Sequence, residues 1–203
     1  RVARMNSRGA KIKAQIATSA YWQLLTNRNS RIRELKQLDD KMVAMTRYSV
    51  TDMLADHVVD SAKLKSERVF KVQINDVNVR LQMMQNNEMD AMFVTEPQAT
   101  LARLSKHKLL LDTRKLGWNM GVIAFREKPM KDVDRKRQYD VFVKAYNQAC
   151  DSINKNGIAH YAHLMEKYCR TRREALDSIP KTKFHHAVGP REKDMMMAEK
   201  YIK

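Results

Sequence analysis

The sequence predicts an α/β protein with a parallel sheet, and three stretches carry that expectation. In residues 69–97, Val69-Phe-Lys-Val-Gln-Ile74 reads as a strand, Val77, Leu81 and Met84 recur at helical spacing, and Ala91-Met-Phe-Val94 is a short continuous apolar run. A strand, a crossover helix and a strand covered on both faces make a βαβ unit. Ligands of such sheets sit beyond the carboxyl ends of the strands, here Thr95 and Glu96. The second stretch, Met42-Val-Ala-Met-Thr46, is another buried-type strand running straight into a helix that carries Met53, Leu54, Val58 and Ala62. The third begins at Pro129, where the chain changes character to one helix after another.

The remaining elements follow from local pattern. Val2, Met5 and Ala10 look like the tail of a helix already under way, as if an N-terminal part were missing. Lys11–Ala17 alternates polar and apolar, as a strand with one wet face does, and Leu24-Leu25-Thr26 is a second short strand. Ile32, Leu35 and Leu38 form an amphipathic piece before Asp39-Asp40. Asp76 is placed to cap the 77–84 helix, and Asn86-Asn87 to stop it, since asparagine tolerates left-handed backbone. A helix through Ala99, Leu101, Ala102 and Leu104 leads to a strand at Leu109–Leu111. The turn Gly117-Trp118-Asn119-Met120-Gly121 precedes a strand at Val122–Phe125, with Trp118 read as a core plug.

In the C-terminal part, Phe142, Ala145, Tyr146, Ala149 and Ile153 mark one apolar stripe, closed by Asn156-Gly157. Ile158, Tyr161, Leu164, Met165 and Tyr168 mark the next. Thr171-x-x-Glu174 reads as a capping box opening a third helix, ended by Pro180. Phe184–Val188 looks extended, and Met195–Ile202 is helical.

Composition narrows the function. The 203 residues are enough for one sizeable core or two small ones, and the apolar runs are far too short to cross a membrane. A formal charge of +16 invites a polyanion or small-anion partner. Yet Lys and Arg are spread along the chain without an aromatic-interleaved basic motif, so no nucleic-acid partner is expected. Cys150 and Cys169 form no CxxC motif, and spacing leaves open whether they pair. His160, His163 and Glu166 share a helical face but lack an evident outside ligand, and His185-His186 point to opposite faces of an extended chain. No phosphate loop, nucleophile elbow or HExxH pattern occurs, so no cofactor, metal or catalytic residue is assigned.

The segment Arg47-Tyr48-Ser49-Val50-Thr51-Asp52 is the main polar candidate. Hydroxyls and free amides converging at a helix start favour an anion or polar ligand. The same Ser49-x-x-Asp52 pattern serves equally as a simple capping box.

Leu81–Pro97 and Leu38–Asp52 together resemble the substrate-binding proteins of ABC transporters, in the branch serving nitrate, sulfonates and thiamine-pyrimidine precursors. The likeness lies in a helix, a stop, Asp90-Ala91, a buried strand and Glu96-Pro97, together with a strand leading into a Ser/Thr-rich helix start. Asn87 replaces the usual glycine, and Asp39 and Asp40 surround another glycine position. Trp118–Phe125 and the helix from Asp140 also fall in family order, so the likeness spans about Lys11 to Lys203.

The resemblance implies an α/β, two-lobed periplasmic-binding-protein-like II fold with mixed sheets flanked by helices and an incomplete lobe 1. Lobe 2 is expected at 27–123 and the partial lobe 1 at 1–26 and 124–203, with hinges near Leu25 and Ala124. Ligand-facing residues carried over by position are Thr18, Ser19 and Trp22 from lobe 1, and Thr46, Tyr48, Ser49, Val50, Thr51, Glu96 and Asn119 from lobe 2. Glu96 reads equally well as a structural residue holding the turn. The implied role is binding without chemistry. The ligand is a small molecule, anionic or like a thiamine precursor, and the partner is an ABC permease, at the periplasm or anchored to the cell envelope. Two alternatives share the fold: the sensing domain of a transcription regulator, and a thiamine-pyrimidine enzyme whose cysteine-rich iron motif is lacking here.

Overall fold

The structure, a computed structural model, describes residues 1–202, without the side chain of Glu174. In chain order the elements are α1 (Val2–Ser7), β1 (Ile12–Ala17), β2 (Gln23–Thr26), β3 (Lys41–Met45), α2 (Val50–Ser61), β4 (Val69–Gln73), α3 (Val77–Gln85), β5 (Ala91–Val94), α4 (Gln98–Leu104), β6 (Lys108–Asp112), β7 (Val122–Arg126), α5 (Val133–Asn156), α6 (Ala162–Cys169) and α7 (Glu192–Lys200). Short 3-10 turns fill several of the gaps, among them Leu35–Leu38, where Ile32 and Leu38 are buried as the amphipathic pattern requires.

β1 and β7 pair antiparallel as a two-stranded sheet, and the other five strands form a mixed sheet in the order β4-β3-β5-β2-β6. β3 runs parallel to both β4 and β5, whereas β2 runs antiparallel to β5 and β6. The βαβ unit expected at 69–97 is therefore present, with β3 inserted between its two strands. The chain passes between the sheets twice, through residues 18–22 and 113–121.

β5 is central and all four of its residues are buried, which is why the run is apolar throughout. Its period of two sends alternate side chains to opposite layers. Ala91 and Phe93 pack with Val43, Met45 and the α2 residues Leu54 and Val58. Met92 and Val94 face the other way, onto Leu81, Met84, Ala99 and Ala102 of α3 and α4. Truncating Phe93 to alanine at such a site costs about 3–5 kcal/mol. The helix stops behave as their residue types demand. The Asp76 carboxylate accepts from the Asn78 amide at 2.7 Å, and Asn87 takes up φ 62° beyond the end of α3.

The connectors between the sheets press on each other. The Thr18 amide donates to the Gly121 carbonyl at 2.9 Å, and a Cβ at Gly121 would collide with Thr18 Oγ1. The Trp22 amide donates to Thr113 Oγ1 at 2.9 Å, and the Thr113 amide to the Trp22 carbonyl at 3.0 Å.

The C-terminal part departs from its pattern in three places. The stripe on α5 is largely uncovered: only Cys150 is fully buried, and Phe142 is 40% exposed beside Phe125. Thr171 caps no helix. A 3-10 stretch, Arg173–Ser178, follows Arg172, while the buried Thr171 hydroxyl turns back to the Cys169 carbonyl. The Glu174 side chain of that pattern lies outside the described residues. Phe184–Val188, expected to be extended, is irregular with a bend at Ala187 and belongs to neither sheet, although the Val188 carbonyl accepts from the Ala17 amide of β1 at 2.7 Å. The α5 residues Asn147 and Asn154 bind its backbone in place of a ladder, because an amide side chain can accept from one backbone group and donate to another. Cys150 and Cys169 are both free thiols. Among the described residues no cluster is arranged to hold a metal, including His160, His163 and Glu166.

Candidate functional site

Where β3 ends, the chain turns sharply through Tyr48, at φ 59°, into the N-terminus of α2. Ser49 is the N-cap. Its Oγ accepts from the Thr51 amide and donates to the Thr46 carbonyl at 2.6 Å, while Thr51 Oγ1 accepts from the Thr46 amide at 2.9 Å. Asp52 closes the box one residue early, accepting from the Tyr48 amide at 2.9 Å rather than from Ser49. The hydroxyls thus brace the turn, and the capping reading of this motif is realised.

Beside the turn lies a cleft of about 420 Å³, and its cations define it. Arg80, on α3, is only 1% exposed. Its Nε donates to the Ile74 carbonyl at 2.8 Å, its Nη1 to the Phe93 carbonyl at 2.5 Å, and its Nη2 to Thr46 Oγ1. No carboxylate pairs with it among the described residues, although Asp76 partly supports its charge. Burial lowers its pKa to about 10, so it remains protonated at neutral pH. A buried cation without an acid partner is costly unless something supplies negative charge.

Two residues lining the same space carry further donors that are buried and unpaired. Arg4 of α1 stacks on the Tyr48 ring, 3.2 Å from its centroid, and its buried Nη1 meets no acceptor among the described residues. The Trp22 indole Nε1 is likewise buried without an acceptor. Ala198, Tyr201 and Ile202, at the end of α7 and just beyond, complete the wall. The Tyr201 hydroxyl donates to Asp56 Oδ2 at 2.5 Å; burial first, and that bond second, push its pKa well up. Orphaned donors suit a ligand rich in acceptor oxygens, while the buried Asn119 Oδ1, an acceptor beside the cleft residue Met120, also lacks a partner among the described residues.

Of the ten ligand-facing candidates, Trp22, Thr46, Tyr48, Ser49, Val50 and Thr51 line this cleft. Thr18, Ser19 and Glu96 line a second cavity of about 520 Å³ instead. The Ser19 hydroxyl donates to the Lys183 carbonyl at 3.4 Å, on the side away from α2. The Glu96 carboxylate accepts from the Thr100 amide, Gln23 and Arg103, which is the structural role of holding the turn. Asn119 lines neither space, because its backbone is drawn toward Asp194 of α7.

Arg80 and Arg4 went unread in the sequence. A signal for Arg80 exists: it falls between Val77 and Leu81–Met84 on the buried face of α3, a position where arginine is out of place unless it has a task. Arg4 carries no comparable mark.

Two sheets joined by a pair of connectors, with a cleft at the strand ends, make a fold that is also found in solved structures of sulfonate-binding proteins. The periplasmic aliphatic sulphonate binding protein SsuA of Escherichia coli aligns at TM-score 0.77 and 16% identity, over 98% of this chain and 67% of that one. The alkanesulfonate-binding protein SsuA of Xanthomonas axonopodis pv. citri, bound to MOPS, aligns at 0.75 and 15% identity, over 100% and 73%. The desulfurization enzyme DSZB aligns at 0.60 and 10% identity, over 94% and 70%. At these identities the likeness is one of fold. No family model matches the sequence, and no curated protein matches it.

Proposed function

We propose that this chain is a solute-binding unit that holds a small anion in the cleft between the start of α2 and the wall formed by α1 and α7. The observation that carries the reading is the buried guanidinium of Arg80, in no salt bridge among the described residues, on a cleft also lined by Arg4 and Trp22, whose Nη1 and Nε1 have no acceptor there. An anion entering there neutralises a charge already desolvated and completes bonds already missing, so little new ordering opposes binding.

The wider role follows the fold. In this reading one lobe carries the five-stranded sheet from β2 to β6 and the other carries β1, β7 and the C-terminal helices. The boundaries expected at 26/27 and 123/124 therefore move outward to the connectors, because β2 and Val122–Ile123 each belong to the sheet on the far side of those cuts. The connectors 18–22 and 113–121 are the hinge in place of Leu25 and Ala124, which sit inside ladders. The bound anion favours the closed arrangement, and the closed unit delivers it to a membrane permease of an ABC importer outside the cytoplasm. Binding without chemistry is favoured over catalysis because the cleft presents donors rather than a nucleophile–base pair.

Calorimetric titration with MOPS and with inorganic sulfate tests the site. One-to-one binding of at least one of them is expected, weakened at least tenfold by Arg80→Met in a variant with unchanged circular dichroism. Equal affinity in the two proteins would refute the assigned cleft.

A further inference from the structure

We infer that the second cavity is a separate ligand site, for an uncharged and mainly apolar molecule that carries one hydrogen-bonding group. Its volume of about 520 Å³ falls in the range of small-molecule pockets. Tyr146 and Ile153 of α5, Ile158, Met165, Ile179 and Phe184 supply the walls. In a chain of charge +16, no lysine or arginine is among the described residues lining it. The space therefore rejects the anions that the first cleft attracts.

Tyr21, Glu96 and Thr182 are among its polar lining residues. Tyr21 is 8% exposed, and its buried hydroxyl has Thr182 only as a loose side-chain partner, with none in full hydrogen-bonding geometry among the described residues. Burial and then the nearby Glu96 charge raise its pKa, with Thr182 partly offsetting them, so it stays a neutral hydroxyl able to donate or accept. Glu96 is fixed by Gln23, Thr100 and Arg103, and Arg103 compensates its charge, which favours a neutral ligand over a cation. A hydroxyl, amide or arylamine group on an apolar body would satisfy Tyr21 while the body fills the walls. The apolar stripe of α5, which covers no core, acquires a use on this side: Tyr146, Ala149 and Ile153 front the cavity.

N-phenyl-1-naphthylamine, an uncharged aromatic fluorophore with one N–H, is the probe. Wild-type protein is expected to show a saturable one-to-one rise in fluorescence. Ala149→Trp, on the exposed side of α5 where no core repacks, is expected to weaken it at least tenfold, and Tyr21→Phe several-fold. Alkylation of the cavity residue Cys169 by N-ethylmaleimide, followed in the unaltered chain, is expected to slow several-fold at saturating probe. A non-saturating rise, undiminished binding in a natively folded Ala149→Trp, or an alkylation rate indifferent to the probe would each overturn the proposal.

Discussion

Arg80 has five N–H groups, and three bonds to Ile74, Phe93 and Thr46 use only some of them. Removing the side chain separates two effects. Arg80→Met leaves the Phe93 and Ile74 carbonyls with a lost donor, costing about 1–3 kcal/mol of stability per group left unsatisfied. It also removes the charge, and the tenfold affinity loss expected of it corresponds to about 1.4 kcal/mol. Arg80→Lys keeps charge but not the fork, so an intermediate affinity is expected by calorimetry. The pH dependence has a definite sign. Because burial lowers the folded pKa from the ordinary arginine value to about 10, the unfolded chain binds the proton more tightly across that window. Stability attributable to Arg80 therefore rises with pH from about 10 upward, while anion affinity falls over the same range. In Arg80→Met the part of that fall due to this group is expected to vanish.

At the scale of elements, the start of α2 carries the clearest stability expectation. Ser49→Ala removes the oxygen that caps Thr51 and braces Thr46. About 1 kcal/mol is expected, read as a fall of roughly 2–4 °C in thermal melting. A larger loss is expected for Thr51→Ala, since the buried Thr46 amide then loses its acceptor. Gly121→Ala should destabilise through the clash with Thr18, and a Thr18→Gly partner should recover part of it.

How much of this was legible follows from what each pattern encodes. The strand at 91–94 was visible because burial on two faces demands an unbroken apolar run, and the one at 41–45 through its buried half, Val43–Met45, since Met42 is 40% exposed. The α3 boundaries were visible because Asp76 and Asn87 have local backbone roles. The capping role of Ser49 was legible as one of two readings, and only its bond distances show the hydroxyls engaged. Thr171 misled because a capping box needs a following helix, and that depends on tertiary packing. Arg80 and Arg4 stayed hidden for a different reason: their meaning comes from forming no salt bridge among the described residues, which no spacing records. The division of Thr18, Ser19 and Glu96 from Trp22 and Ser49 is likewise a matter of which side of a connector each one faces.

Over the whole molecule, the charge of +16 makes a long-range field expected to draw the proposed anion toward the cleft. Association rates measured by stopped flow are expected to fall several-fold between about 0.05 and 0.5 M salt, as the screening length contracts. The central claim is that one anion sits among Arg80, Arg4 and Trp22. Anomalous diffraction from crystals grown with 2-bromoethanesulfonate tests it most directly. The expected result is a bromine peak inside the cleft, with sulfonate oxygens toward Trp22 Nε1 and Arg4 Nη1. Bromine found only at surface lysines, with the cleft empty at a concentration that saturates binding in solution, would contradict it.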